Sequence, residues 1–154
     1  MQGQEFYDYL SLFPNFKNHF KGIFSIDTLP KIIGYRKFII SNTDIQSGEG
    51  KHWFCFFQSS KKEIEIFDSL GIDEFKKSLL TKYCSFRLKE LIFNTTAFQD
   101  LNSSSCGKFV LYFSIERMFN LDLTFEEFLQ LIFDENVQKN ETLVEEFCEE
   151  IKNK

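Results

Sequence analysis

Four short islands carry the residue types that an acyl-transfer site built on a thiol requires. In chain order they are His52-Trp53, Asp68-Ser69-Leu70-Gly71, Gln99 and Ser104-Ser105-Cys106-Gly107. In such a site a thiolate attacks a carbonyl, an imidazole shuttles the proton, a carboxylate orients the imidazole and an amide donor stabilises the oxyanion. Cys106, His52, Asp68 and Gln99 would supply these four groups respectively. Any one island alone is weak; the set, in this order, points to a protease.

Cys106 is followed by Gly107 and by the run Lys108-Phe109-Val110-Leu111-Tyr112-Phe113-Ser114-Ile115, which reads as a buried helix. A cysteine in the first turn of a helix feels the positive end of the macrodipole, which favours the thiolate. Ser103, Ser104 and Ser105 are N-cap residues by type. Gly107 allows close approach of backbone and substrate where a side chain would intrude. Free cysteines are mostly buried packing residues, and Cys55, Cys84 and Cys148 are read that way.

The elements that must position these groups follow from the surrounding pattern. His52-Trp53-Phe54-Cys55-Phe56-Phe57-Gln58 is aromatic-rich and strand-like, and Glu63-Ile64-Glu65-Ile66-Phe67 alternates with period two. Ser59-Ser60-Lys61-Lys62 between them makes a turn, so the two strands form a hairpin that brings His52 beside Asp68. Asp68 would then fix the imidazole tautomer while the other ring nitrogen faces Cys106. A lone histidine is usually structural, and His19 is assigned that role. Gln99 lies seven residues before Cys106, which leaves a loop from which its amide and the Cys106 N–H could both point at an oxyanion.

The chain resembles the adenovirus-type cysteine endopeptidases (the adenain family) and, more broadly, the Ulp1-like cysteine proteases. Phe20-Lys21-Gly22-Ile23-Phe24-Ser25-Ile26-Asp27-Thr28-Leu29-Pro30 is similar to the family's N-terminal segment. Ser41-Asn42-Thr43-Asp44 with Gly50-Lys51-His52-Trp53, Phe67-Asp68-Ser69-Leu70-Gly71 and Ser105-Cys106-Gly107-Lys108-Phe109 are similar to its histidine, acid and nucleophile segments. The likeness implies a papain-like fold, circularly permuted so that histidine and acid precede the cysteine. It also implies His52, Asp68 and Cys106 as the triad, Gln99 in the oxyanion hole, and Trp53 with Gly107 as substrate-binding residues along a narrow channel. Aspartate at the third position agrees with the Ulp1-like enzymes, where the adenoviral ones commonly carry glutamate. Cys84 does not fall where the adenoviral enzymes take a disulfide-linked activating peptide. The motifs look most like those of virophages and Maverick/Polinton elements. The implied substrate is a viral structural precursor, the major capsid protein foremost, cut after a glycine-containing motif. The rival reading is an isopeptidase that removes a ubiquitin-like modifier; a third is an inactive binding module.

Length and composition suit one protease domain over residues 1–154, with phenylalanine spread along the chain as core. Strands in the middle flanked by helices give an α+β class with a central mixed sheet. Helices are expected at about residues 3–13, 73–82, 105–119 and 140–152, with another capped by Thr124 in the pattern Thr124-Phe125-Glu126-Glu127. Further strands are expected at 35–42, ahead of a loop at Asp44–Gly50, and at Glu90–Thr96. No stretch is long and apolar enough for a membrane span, and no signal peptide is read at the start, so neither membrane insertion nor secretion is expected. The resemblance implies a place in the host cytoplasm (viral factory) and virion, and a monomer is expected. Four cysteines without a CxxC pair argue against structural zinc, and no cofactor is expected. The net charge of −5, with its acids concentrated late, disfavours nucleic acid, although Lys76, Lys77, Lys82, Arg87 and Lys89 form a local basic run.

Overall fold

A computed structural model describes residues 1–43, 52–84, 86 and 89–153. The loop expected at Asp44–Gly50 and the basic residue Arg87 lie outside the described residues. Five strands, β1 (Phe20–Ser25), β2 (Phe38–Asn42), β3 (Trp53–Phe57), β4 (Glu63–Phe67) and β5 (Glu90–Phe93), form one sheet in sequential order. The β1–β2 and β4–β5 pairs are parallel, while β2–β3 and β3–β4 are antiparallel. The sheet is therefore mixed, with the expected hairpin at its centre.

Both faces of the sheet are covered. Phe38, Ile40, Cys55, Phe57 and Phe67 point to a core shared with the helices α1 (Gly3–Leu10), α4 (Cys106–Phe119), α5 (Phe125–Ile132) and α6 (Val137–Lys152). Ile39, Phe54, Phe56, Ile64 and Ile66 point to the other, with Ile33, Ile72, Phe86 and Leu80 of α3 (Glu74–Tyr83). Alternation along each strand sorts the side chains between two apolar layers, so β3 is buried at every residue. A single turn, α2 (Phe16–His19), precedes β1.

The helix ends explain themselves chemically. Asp73 caps α3 by accepting from Lys76 N–H at 2.8 Å. Thr124 and Glu127 make the reciprocal capping box foreseen for α5. The last helix begins earlier than its pattern suggests, because Asn136 accepts from Gln138 and Lys139 N–H and starts the helix there. The N-terminal helix ends sooner, at Leu10.

The alternating strand β4 buries a charge: Glu65 is 1% exposed and pairs with Arg117 of α4 at 2.7 Å. Alternation sets Glu65 on the same face as Phe67, and in a sheet covered on both sides that face is interior. Arg117 lies between the rings of Phe57 and Phe128, at 4.9 and 4.8 Å from their centroids. Its guanidinium also donates to the carbonyls of Asn120 and Leu123.

Candidate active site

The β3–β4 register places Cys55 opposite Phe67, so His52 and Asp68 lie beyond the same end of the hairpin. Both belong to the parity set of Phe54 and Ile66, whereas Trp53 turns to the α4 face. His52 Nε2 lies 2.7 Å from Asp68 Oδ1. Asp68 Oδ1 also accepts from Leu70 N–H at 2.9 Å, and Oδ2 accepts from Lys76 Nζ at 3.1 Å.

The acid is fixed through its backbone as well. Asp68 N–H donates to Asn94 Oδ1 at 2.9 Å, and Asn94 Nδ2 returns a bond to the Asp68 carbonyl at 2.7 Å. The Asp68–Gly71 turn closes with Gly71 N–H on the Asp68 carbonyl at 2.9 Å. Gly71 has φ +80°, and a Cβ there would stand 2.6 Å from the Thr95 carbonyl oxygen, so only glycine fits this corner. Lys76 and Asn94 were not singled out from sequence as site residues. Asn94 just past a strand end and Lys76 in the first turn of α3 give no signal that the chain folds them onto Asp68.

Cys106 opens α4 and is 7% exposed. Burial raises its thiol, but hydrogen bonds from His52 and from the Trp53 and Gly107 backbone, with the His52 charge, outweigh burial and hold it below a free thiol. Burial likewise works against a charged His52, yet its bonds to Asp68 and Cys106 push it up to about 9. Asp68 resists burial through the His52 hydrogen bond and charge, with help from Lys76, and stays below the usual carboxylate value. These directions favour the thiolate of Cys106 and the protonated imidazole of His52, each stabilised by the other. Burial drives the other thiols the opposite way: Cys55 and Cys84 are pushed up to about 12 and Cys148 to about 11.

Gln99 is 2% exposed, with its carbonyl accepting from Ser69 Oγ. Its Nε2 donates to the Ser103 carbonyl at 3.1 Å and to Ser103 Oγ at 3.0 Å. The amide thus faces the loop that leads into α4, and its donor side is engaged by Ser103. Ser105 occupies the N-cap position, but its side chain makes no cap hydrogen bond, contrary to the capping role its type suggests. Its hydroxyl donates to Glu141 of α6 at 2.6 Å.

Trp53 is 6% exposed and stands edge-on to Phe6, with ring centroids 4.9 Å apart. Its Nε1 donates to the Met1 carbonyl at 3.0 Å. A Cβ added to Gly107 would meet Met1 Cβ at 2.7 Å and Trp53 Cδ1 at 3.5 Å. Met1 therefore fills the gap between Trp53 and Gly107, the space expected to be a channel. A hollow of about 210 Å³ borders Met1, Ser104 and Gly107, while larger ones lie away from Cys106. His19 is remote in role: its Nδ1 is bonded to the Arg36 carbonyl at 2.6 Å. Among the described residues, no group of three or more His, Cys, Asp or Glu side chains is placed to hold a metal ion, and no helix is long and apolar enough to cross a membrane.

No known protein family and no curated protein matches this chain. Among solved structures it is similar to the central domain of the uncharacterized Lpg1148 protein from Legionella pneumophila. The two share 16% identity and a TM-score of 0.50, with 87% of each chain covered. At that identity the likeness supports the fold, an α+β arrangement with a five-stranded mixed sheet flanked by helices.

Proposed function

We propose that the protein is a cysteine endopeptidase with a papain-like site in which histidine and acid precede the nucleophile in the chain. The observation that carries this reading is the continuous line from Asp68 through His52 to Cys106 at the head of α4. The thiolate of Cys106 adds to the scissile carbonyl, and the negative charge on oxygen is met by the Cys106 N–H and by the Gln99 amide, one of whose two N–H groups leaves the Ser103 carbonyl for it while the other stays on Ser103 Oγ. His52 then gives its proton to the leaving amine as the carbon–nitrogen bond breaks, leaving a thioester. Water, giving a proton to His52, adds to the thioester and releases the acid and the thiol. Asp68 keeps the imidazole oriented through both halves. Lys76 and Asn94 keep Asp68 in place.

The resemblance of the catalytic islands to viral maturation enzymes makes a structural precursor, the major capsid protein foremost, the proposed substrate. Turnover of a fluorogenic peptide ending in a hydrophobic–small–glycine motif tests the reading. Wild-type protein cleaves it and Cys106→Ala does not; cleavage by a folded Cys106→Ala variant rejects the site. A ubiquitin-like fusion cut faster than a capsid precursor would replace the maturation role with deconjugation.

A further inference from the structure

The strip of apolar residues that seats α6 on α4 runs Val144, Cys148 and Ile151, all buried. Continued one step toward the N-terminus, that strip ends in polar residues, the buried Asn140 and beside it the half-buried Glu141, where the pattern would place an apolar side chain. The Glu141 carboxylate is the end of a chain of polar groups. Ser69 Oγ donates to Gln99 Oε1, and Gln99 Nε2 donates to Ser103 Oγ at 3.0 Å. Ser103 Oγ lies 2.8 Å from Ser105 Oγ, and Ser105 Oγ lies 2.6 and 3.0 Å from the two oxygens of Glu141.

Hydroxyls donate or accept, and an amide can be turned over, so most of these links have no sense of their own. An ionised carboxylate only accepts. Ser105 must therefore give its single proton to Glu141 and accept from Ser103. Ser103 must in turn accept from Gln99, which turns the amide nitrogen toward Ser103 and the amide oxygen toward Ser69. The Ser103 carbonyl, also an acceptor only, asks for the same orientation. The charge at one end polarises the whole chain, and such chains strengthen cooperatively.

Ser105 is thereby engaged by Glu141 and makes no cap hydrogen bond to α4. The head of α6 holds the rest of this loop as well: Asn140 Nδ2 donates to the Phe98 carbonyl at 3.1 Å, and Gln138 Nε2 to Asp100 Oδ2 at 2.6 Å.

We propose that Glu141 is a positioning residue for the oxyanion hole, fixing the orientation of the Gln99 amide through Ser105 and Ser103. The proposal rests on the thiol-protease reading, and Glu141 touches no reacting atom. It acts on the oxyanion and not on the thiolate, which separates it from a structural role.

The full chain is compared with Glu141→Ala, Glu141→Gln, Gln99→Ala and the double variant Glu141→Ala/Gln99→Ala. Peptide turnover, the rate of Cys106 alkylation by iodoacetamide and the side-chain amide resonances of Gln99 are measured. Alkylation needs the thiolate but no oxyanion hole. Glu141→Ala is expected to lower kcat about tenfold, a fraction of what loss of a whole donor costs, with KM and alkylation rate nearly unchanged. Glu141→Gln, whose amide oxygen still accepts from Ser105, recovers most of kcat. The double variant is no slower than Gln99→Ala alone, because both act on one donor. Additive losses, an equal loss in Glu141→Gln, or a parallel fall in alkylation overturns the proposal. Absent turnover by the wild type would defeat the protease reading. The Gln99 amide resonances then judge the hydrogen-bond chain directly: they shift in Glu141→Ala and return toward native in Glu141→Gln, and unmoved resonances overturn it.

Discussion

Phe67 and Phe113 stack with their rings 4° from parallel and centroids 4.4 Å apart. Phe67 immediately precedes Asp68, and Phe113 lies seven residues after Cys106 on α4. The stack thus joins the strand carrying the acid to the helix carrying the nucleophile, and Phe133 extends it, 5.6 Å from Phe67. Phe67→Ala should cost about 3–5 kcal/mol, the usual range for a fully buried phenylalanine. Urea unfolding measures it, and a loss within experimental error would show that the stack does not tie the two elements together.

Within the site, the four groups should fail in different ways. Cys106→Ala abolishes turnover, and His52→Ala nearly does so. Asp68→Asn leaves a reduced residual rate, because the orienting charge is lost while thiol and imidazole remain. Gln99→Ala should lower kcat by about 10²–10³ with a smaller change in KM, since its donor acts mainly on the developing oxyanion. Steady-state kinetics on variants with native unfolding midpoints separates these outcomes. A larger effect on KM than on kcat in Gln99→Ala would remove it from the oxyanion hole.

The Cys106–His52 pair sets the pH dependence. Cys106 lies below a free thiol, whereas Cys84 is pushed up to about 12, so iodoacetamide should label Cys106 far ahead of Cys84 at neutral pH. As pH rises through about 9, His52 loses the proton owed to the leaving amine, and kcat/KM should fall there. Stability follows the same signs. The His52 contribution is complete below its unfolded value of 6.5 and disappears as pH rises through about 9. The Asp68 contribution is present above its unfolded value of 3.8 and disappears as pH falls through its depressed value. A Cys106 thiol that titrates like an ordinary one in an alkylation–pH profile would contradict the pair.

What the sequence makes legible is local: the hairpin, the capped helices and the cysteine heading α4 all follow from neighbouring residues. What it hides is pairing across distance. The alternation of Glu63–Phe67 does not tell that both faces of the sheet are covered, and the partner of Glu65, Arg117, stands 52 positions away. Ser105 reads as a cap because Glu141, 36 positions on, is invisible to a local rule. β1 pairs in parallel with β2, and its Gly22 at φ +131° interrupts the pattern that would reveal a strand.

The Glu65–Arg117 pair is testable on those terms. Removing one partner strands a charge in the interior, so Arg117→Ala or Glu65→Ala should each destabilise by about 3–5 kcal/mol. Replacing both by apolar residues, Glu65→Leu with Arg117→Met, should restore much of that loss. Denaturant midpoints of the singles and the double form the cycle, and additive losses would mean that the two charges do not depend on each other.

The approach to Cys106 predicts what the enzyme cuts. Trp53 Cδ1 would stand 3.5 Å from a Cβ on Gly107, and Met1 is packed against both residues. A substrate strand reaching the thiol from this side has little width, so the residue before the scissile bond should be small, with glycine preferred because its backbone alone fits. Apolar residues further upstream would add binding energy in a groove. Trp53→Ala cannot test this alone, since the indole is buried against Phe6 and its loss would also unfold the protein. Trp53→Phe keeps most of the packing while removing the Nε1 bond to the Met1 carbonyl. It should loosen the Met1 segment and relax the preference for glycine, with little change in unfolding midpoint. Gly107→Ala, which drives a Cβ into Met1, should lower kcat/KM on every peptide. A peptide library read with both variants decides the point: if wild-type protein cuts after bulky or charged residues as fast as after glycine, the narrow approach is wrong.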